Sequence, residues 1–180
     1  MTDVQPRSSL SWRPVDDAPD LLGPTVSQLL GTWSSSLVEV APIDPALADT
    51  AEFCRNYGVE PACSANCVVI TGKREGVVRY AACVILATTR ADINGVARRL
   101  LDVRKASFAP MSDAVRLTGM EYGGITPIGL PADWPILVAS QVADAGPVVV
   151  GSGRRASKIR IDGAALLELP NAQLAEELAG

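Results

Sequence analysis

The stretch YGGITPIGLP, residues 122–131, is the most informative part of this 180-residue chain. Gly123 and Gly124 have no Cβ atom, so they allow unusual backbone angles and leave their N–H groups open to a ligand. Thr126 precedes Pro127 and is therefore restricted to an extended conformation, which stiffens the loop. A stiff loop with bare amides can hold a carbonyl oxygen or a carboxylate, as an oxyanion hole does. An ordinary Gly/Pro turn between a helix and a strand is the alternative explanation.

A second glycine-rich stretch, GSGRR at residues 151–155, directly follows an apolar run at 147–150. A strand that leads into such a turn, with two arginines beside it, is a typical setting for a bound phosphate. The spacing matches neither the Walker motif nor GxGxxG. A tight β-turn with solvated charges therefore stays open as the alternative.

Apolar periodicity and capping residues predict short strands and helices in mixed order. Helices are predicted over residues 25–33, 45–57, 93–101 and 112–117, with two more beginning at Asp162 and Asn171; strands are predicted over 36–42, 66–71, 77–87, 105–109, 136–139, 147–151 and 157–161. This order is not a regular βαβ alternation. It predicts an α/β chain of the mixed α+β type, with a curved mixed sheet and surrounding helices, rather than a doubly wound fold.

The first 23 residues differ in composition from the rest of the chain. They are rich in Pro, Asp and Ser and show no clear period, so residues 1–23 are interpreted as an N-terminal extension or a strap over the surface, which Trp12 could pin down. Residues 24–180 are then expected to form a single domain.

The absence of histidine removes whole classes of chemistry. Ser-His-Asp and Cys-His catalysis, a histidine general base and histidine-ligated zinc or haem are all excluded. The chain has four cysteines, but the spacing of Cys63 and Cys67 contains no CxxC pair, so buried structural thiols are favoured over a metal site or redox pair. No metal or cofactor is predicted.

The N-terminal sequence and the length of the apolar runs indicate where in the cell the protein is expected. The first residues are charged and contain no continuous apolar run typical of a signal peptide, and no apolar stretch approaches membrane-spanning length. A cytoplasmic location with reduced thiols and no membrane contact is therefore expected.

The net charge of −4 conceals a segregation of charge along the chain. Residues 61–161 hold thirteen basic and seven acidic residues, a balance of +6, between two acidic ends. A basic segment of this kind is compatible with a phosphate-bearing partner. A solvated surface neutralised by the acidic flanks is the alternative.

The order of these motifs resembles the YbaK/EbsC family, also called the prolyl-tRNA-synthetase-associated editing domain. The resemblance runs from about Leu37 to Glu177 through IDPALADTAEFCRNYGV, NCVVIT, INGVARRLL, SDAVRLTGMEYGGITPIGLP and VVVGSGRRASKIRIDGAALLEL. Its most specific part is the GG-x-[ST]-P-x-G loop, followed about 20 residues later by the Gly-Ser-Gly turn. The family hydrolyses the ester of wrongly charged aminoacyl-tRNA, and it does so without depending on histidine.

The resemblance implies a pocket beside the Gly123-Gly124 loop that receives the aminoacyl group and the terminal adenosine. The residues implied in catalysis are Asn66, Gly123 and Gly124. Those implied in substrate binding are Ala65, Ile125, Thr126, Pro127, Gly151, Ser152 and Gly153. Those expected to meet tRNA phosphates are Arg98, Arg99, Arg154, Arg155 and Lys158, with Arg104, Lys105 and Arg160 as further basic residues of the same segment.

One position departs from the family pattern. The family usually has a lysine that opens the strand after the first helix. An ungapped comparison puts Asn66 there, and a shift of one residue puts Ala65 there, so neither candidate carries a charge. The Asn66 amide can still donate hydrogen bonds.

Three hypotheses follow from the sequence. The first is a deacylase acting in trans on mischarged tRNA, with weak or altered activity because Asn66 replaces lysine; no DNA partner is expected. The second is a non-catalytic protein of the same fold that binds an amino acid, a nucleotide or a tRNA end. The third is an interaction domain whose acidic N-terminal extension docks a partner.

Overall fold

Two β-sheets and five short α-helices make up the described part of the chain. The structure is a computed structural model that describes residues 9–33 and 37–180. The strands are β1 (Arg13–Pro14), β2 (Glu39–Pro42), β3 (Ala65–Arg74), β4 (Val77–Leu86), β5 (Ala106–Phe108), β6 (Ile136–Ala139), β7 (Pro147–Gly151), β8 (Ser157–Asp162) and β9 (Ala172–Ala175). The helices are α1 (Pro24–Leu30), α2 (Thr50–Tyr57), α3 (Arg98–Leu101), α4 (Met111–Thr118) and α5 (Ser140–Ala143). The predicted mixed α+β class is confirmed.

The larger sheet has the order β5-β3-β4-β6-β9 and is mixed. Strands β5, β3 and β4 pair antiparallel, whereas β6 runs parallel to β4 and β9 runs parallel to β6. The hairpin of β3 and β4 keeps its register from Ala65 opposite Leu86 to Arg74 opposite Val77. It is longer than predicted because Glu75 and Gly76, with φ of 51° and 80°, turn the chain in two residues.

The smaller sheet is antiparallel throughout, with the order β1-β2-β8-β7. The two sheets meet where Ser64, just before β3, forms an isolated parallel bridge to Val149 of β7. This junction lies at the start of β3, close to the Asn66 position that the sequence singled out.

The helix predicted over residues 45–57 is broken near its start. A 3-10 turn covers Pro45–Leu47, Asp49 is extended with ψ of 136°, and α2 begins only at Thr50. Gly58 ends α2 in the left-handed region, at φ of 68°, as its position in the sequence predicted. The extended Asp49 directs the N-terminus of α2 toward the start of β3.

The helix predicted over residues 93–101 begins with a π-helical turn at Ile93–Ala97 before α3. Asp92 caps it as expected, since its carboxylate accepts hydrogen bonds from the amides of Gly95 and Val96. A further short helix, α5, follows β6 directly and was not expected from the sequence.

The prediction of a helix beginning at Asn171 is wrong. Asn171 has φ of 63°, which no α-helix contains, and the chain continues as strand β9. Apolar residues in this segment do recur at helical spacing, but pairing with β6 satisfies the backbone instead and lets the chain end bury Leu178. The helix expected at Asp162 is present as a 3-10 helix over Gly163–Glu168.

The described part of the N-terminal segment is packed against the two sheets. Ala18 and Leu22 are buried in the main core, and the Arg160 guanidinium lies 4.6 Å from the centre of the Trp12 ring. The expected contact of Trp12 is therefore present. The predicted division at residue 23 stays a prediction. Residue 36 of the strand predicted over 36–42 lies outside the described residues; residues 37 and 38 are described but are not part of a strand, so the strand begins at Glu39, later than predicted.

The largest fully buried side chains come from both sheets, from α2, from the loop after α4 and from the C-terminal segment. They are Phe53, Ile70, Met120, Ile128, Leu137, Ile159, Ile161, Leu166 and Leu178. None of the helices in the described ranges has the length and apolar character needed to cross a bilayer.

The C-terminal segment provides a direct test of the packing. Leu178 is fully buried, so we expect Leu178→Ala to lower the free energy of unfolding by about 2–5 kcal/mol. Leu174 on β9 is 47% exposed, and Leu174→Ala should change stability by no more than about 0.5 kcal/mol. Urea unfolding measures both. Equal midpoints for wild type and Leu178→Ala would contradict the burial of this segment.

Candidate active site

A cavity of about 340 Å³ opens where the two sheets meet. Its walls come from the turn before α2, the first residues of β3, the loop after α4 and the ends of β7 and β8. The lining residues are Ala48, Asp49, Thr50, Ser64, Ala65, Asn66, Cys67, Val68, Met111, Tyr122, Gly123, Ile125, Val149, Val150, Gly151 and Lys158. The volume lies within the range of about 300–1,000 Å³ that is typical of small-molecule sites.

Two glycine-rich segments, 123–124 and 151–153, form one wall by packing backbone against backbone. The amide of Gly153 donates to the carbonyl of Gly124 at 2.7 Å, and the amide of Glu121 donates to the carbonyl of Gly153 at 3.0 Å. A Cβ atom on Gly124 would lie 2.6 Å from the backbone of Arg154, and one on Gly151 would lie 2.6 Å from the carbonyl oxygens of Gly124 and Ile125. Side chains are therefore excluded from this contact.

The amides of this loop differ in whether they have a partner. The amide of Gly124 donates to the carbonyl of Glu121 at 2.9 Å, so it closes a turn within the loop. The amides of Gly123 and Ile125, both cavity-lining residues, donate to no acceptor in the described part of the chain. The pair of amides available to a ligand is therefore that of Gly123 and Ile125, whereas the sequence pointed to Gly123 and Gly124.

Several residues expected in the pocket lie behind its wall. Thr126 and Ser152 are fully buried and Pro127 and Gly153 are buried too, and none of them lines the cavity. The Ser152 hydroxyl lies 2.6 Å from that of Ser157 and supports the glycine turn from inside. These residues shape the loop, because their packing holds it in place, and they do not line the space that a substrate would enter.

Ala65 and Asn66 both line the cavity at the start of β3, as the resemblance implied. The hydroxyl of Thr50 donates to Oδ1 of Asn66 at 2.7 Å and so fixes the orientation of the amide. The Asn66 Nδ2 group has no acceptor among the described residues and is free to donate to a ligand. Sequence reasoning missed Thr50 because the helix predicted over residues 45–57 placed it in mid-helix, whereas the break at Asp49 makes it the first residue of α2.

Lys158 lies in the cavity wall and not with the exposed arginines, where contact with tRNA phosphates was expected. Only 8% of the residue is exposed, its Nζ donates to the carbonyl of Ala48 at 3.0 Å, and Nζ lies 5.3 Å from the centre of the Phe53 ring. Burial lowers the pKa of the Lys158 ammonium. The Lys158 side chain therefore lies in the cavity wall.

Arg154 and Arg155 are held by the protein itself. Nε of Arg154 donates to the carbonyl of Leu22, and Nε of Arg155 donates to the carbonyl of Pro45, each at 2.8 Å. The backbone amide of Arg155 donates to the Glu121 carboxylate at 2.8 Å. These contacts brace the glycine turn and leave only part of each guanidinium exposed.

The remaining predicted cations lie elsewhere. Arg98 and Arg99 are on α3, which contributes nothing to the cavity wall, and Nε of Arg98 donates to the carbonyl of Asn94. Arg99 is exposed, and no carboxylate within the described ranges pairs with it. Arg160 forms an ion pair with Glu39.

The thiol in the cavity is a weak nucleophile. Burial, and to a lesser extent the neighbouring Cys83, raises the pKa of Cys67 far above its usual range. Burial also raises the pKa of Cys83 to about 12. Both thiols therefore stay protonated near neutral pH, where only the thiolate would attack. All four cysteines are free, and the described ranges contain no group of three or more Cys, Asp or Glu side chains suited to a metal ion.

The free amides of Gly123 and Ile125 and the Asn66 amide line one cavity in this two-sheet α+β fold, an arrangement that can hold a carbonyl oxygen. The sequence profile described as an aminoacyl-tRNA editing domain matches residues 44–169, a range that contains every residue lining the cavity. The chain belongs to this family, whose domains deacylate wrongly charged tRNA.

Individual relatives agree with this assignment. The chain is 27% identical over 121 residues to a protein of Enterococcus faecalis described as a candidate Cys-tRNA(Pro)/Cys-tRNA(Cys) deacylase, EbsC; the match covers 67% of this chain and 71% of that protein. A crystal structure of a candidate trans-editing enzyme for prolyl-tRNA synthetase is similar in fold, with a TM-score of 0.71, 22% identity, and coverage of 86% of this chain and 97% of the other. A protein described only as hypothetical has a TM-score of 0.69 at 20% identity, over 78% of this chain and 90% of the other.

The close contact of the glycine segments generates a prediction. Gly124→Ala should force the loop away from the backbone of Arg154, with a loss of about 1–3 kcal/mol in stability and lower deacylation. Gly31 has a helical φ of −69° and no atom closer than 3.5 Å to an added Cβ, so Gly31→Ala should leave both properties unchanged or raise stability slightly. Thermal unfolding and ester hydrolysis are measured on both variants. Gly124→Ala with wild-type values would refute the packing.

Proposed function

We propose that this chain acts in trans as an aminoacyl-tRNA deacylase that hydrolyses the ester of mischarged tRNA. The observation that carries the proposal is the pair of unpartnered amides at Gly123 and Ile125, which line the same cavity as the Asn66 amide. Three N–H donors around one small cavity suit the carbonyl oxygen of an ester, on which negative charge develops during hydrolysis.

Ester hydrolysis can proceed with water and the N–H donors that line the cavity. A water oxygen attacks the ester carbonyl carbon, and the former carbonyl oxygen becomes an oxyanion that the amides of Gly123 and Ile125 stabilise. The bond between that carbon and the ribose oxygen then breaks. One proton of the attacking water passes to the ribose oxygen and the other to solvent, so the amino acid leaves as a free carboxylate.

Attack by water, or by water assisted by the neighbouring ribose hydroxyl, is favoured over attack by a side chain. The chain has no histidine, and the cavity thiol of Cys67 stays protonated because burial raises its pKa. Asp49 is the single carboxylate among the described residues that line the cavity. Catalysis would therefore rest on polarising the ester and positioning water, and less on general-base strength.

The direct test is a panel of purified tRNAs, each charged correctly or incorrectly with a labelled amino acid, incubated with the purified chain. Cys-tRNA(Pro) and Cys-tRNA(Cys) come first in the panel because the Enterococcus faecalis relative is named for them. Release of the amino acid from at least one mischarged pair, faster than from its correct counterpart, is expected.

A non-catalytic binding protein is the second candidate, and the uncharged Asn66 at the position of the family lysine favours it. In the same panel this alternative predicts tRNA or adenosine binding with no release of amino acid from any pair. That result would overturn the deacylase proposal.

The tRNA substrate agrees with the basic middle of the chain and with the cytoplasmic location expected from the sequence. Arg99, Arg104 and Lys105 are exposed, and none of them forms an ion pair with another described residue. These three are therefore better suited to tRNA phosphates than Arg154 and Arg155, whose guanidinium groups already bind backbone carbonyls.

Asn66 is expected to act on the reacting ester. Asn66→Ala removes one donor from the cavity and should lower kcat by about 100-fold, because such a donor acts mainly on the transition state. Asn94, which is exposed on the π-helical turn, offers a matched control, and Asn94→Ala should leave kcat unchanged. Steady-state deacylation measures both. An unaltered kcat in Asn66→Ala would exclude this role.

Salt dependence tests the tRNA surface. If Arg99 and Lys105 each contact a phosphate, then Arg99→Gln and Lys105→Gln should each reduce the slope of log Kd against log salt by about 0.7–0.9. Arg116 is paired with Asp113 at 3.2 Å, so Arg116→Gln should leave the slope as it is. Filter binding at several salt concentrations gives the slopes. Identical slopes for all three variants and wild type would place the tRNA elsewhere.

A further inference from the structure

Lys158 is a buried cation whose hydrogen-bonding capacity is largely unused. An ammonium group has three N–H donors. One of them binds the carbonyl of Ala48, and within the described residues no other acceptor and no carboxylate lies within bonding distance of Nζ. The ring of Phe53 covers one side of the ammonium at 5.3 Å.

Burial of an ammonium without a paired carboxylate is costly, and buried charges in proteins are normally paired. The nearest carboxylate that acts on Lys158 is that of Asp49, whose side chain is 64% exposed and whose ion pair is with Arg155, at 3.7 Å. The fold therefore keeps a charge that its own packing does not need. Two donors remain for a ligand in the cavity that Lys158 lines.

We propose that the Lys158 ammonium binds a negatively polarised oxygen of the substrate in this cavity, beside the Asn66 amide and the amides of Gly123 and Ile125. This role rests on the proposed deacylase function and adds a residue to it. The oxygen belongs either to the ester carbonyl or to the phosphate of the terminal nucleotide, since both are acceptors that an ammonium recognises.

The first experiment measures binding and needs no turnover. The probe is 3′-aminoacylamino-3′-deoxyadenosine 5′-phosphate, in which an amide replaces the scissile ester. Lys158→Met keeps the length and apolar stem of the side chain and removes the charge. We expect its Kd for this probe to rise by about tenfold or more, as for loss of a charged hydrogen bond.

Lys73→Met is the matched control because Lys73 is exposed on the β3–β4 hairpin and does not line the cavity. Its Kd should equal that of wild type. An unchanged Kd in Lys158→Met would overturn the proposal, whether or not the wild-type chain hydrolyses any aminoacyl-tRNA. Absence of hydrolysis in wild type, by contrast, would overturn the proposed function alone.

Stability separates a binding role from a purely structural one. Lys158→Met removes an unpaired buried charge, so its Tm should be equal to or higher than that of wild type while binding is lost. A large fall in Tm together with the loss of binding would indicate that Lys158 holds the fold, and would count against the proposal.

Kinetics then identify the oxygen and provide a test that does not depend on Lys158→Met. A fall in kcat of Lys158→Met at unchanged KM assigns Lys158 to the ester carbonyl, and a rise in KM at unchanged kcat assigns it to the phosphate. In wild type, kcat/KM corrected for spontaneous hydrolysis should fall as the pH rises and Lys158 loses its proton, at a lower pH than for an exposed lysine, because burial lowers the pKa of the Lys158 ammonium.

Other charged and titratable groups face Lys158 from the elements packed around it. They are Asp49 before α2, Cys54 on α2, Arg155 after β7 and Cys67 on β3. Lys158→Arg distinguishes Lys158 from them, because a guanidinium stays charged and should remove the alkaline fall. The same alkaline fall in Lys158→Arg and wild type would contradict the proposal.

Discussion

Backbone contact between residues 123–124 and 151–153 is the constraint on which the rest of the site depends. The amide of Gly153 donates to the carbonyl of Gly124, the amide of Glu121 just before the loop donates to the carbonyl of Gly153, and a Cβ atom on Gly124 or Gly151 would not fit. The Gly124 amide donates within the turn, whereas the neighbouring amides of Gly123 and Ile125 have no acceptor among the described residues. The donors themselves are backbone amides, and the polar side chains of Ser152, Arg154 and Arg155 support the turn behind them.

The segment that precedes the family match braces this contact from outside. The amide of Gly23 donates to the carbonyl of Ser152 at 2.8 Å, and the carbonyl of Leu22 accepts from Arg154 at 2.8 Å. A Cβ atom on Gly23 would lie 2.9 Å from Gly153, so this approach is also limited to glycine. The N-terminal segment therefore supports the cavity wall, although the match to the editing domain begins only at residue 44.

Elements whose conformation depends on their own residues could be predicted from the sequence. The loop at 122–131 and the strand that carries Asn66 could be predicted, because glycine, proline and β-branched residues act on their own backbone. Lys158 could not be assigned to the cavity from the sequence. The alternation of residues along β8 does not reveal that α2, through Phe53, packs over the side of the strand that carries Lys158. Thr50 and strand β9 were missed for a related reason, because each depends on a partner that is distant in the chain.

The central claim is that the amides of Gly123 and Ile125 hold the carbonyl of an aminoacyl ester. Titration of the ¹⁵N-labelled chain with an uncleavable 3′-aminoacylamino adenosine, followed by amide chemical shifts, tests it most directly. The account predicts that the largest shifts occur at Gly123 and Ile125, with little change at Gly76 on the far end of the hairpin. Saturable binding that leaves the Gly123 and Ile125 amides unshifted would contradict it.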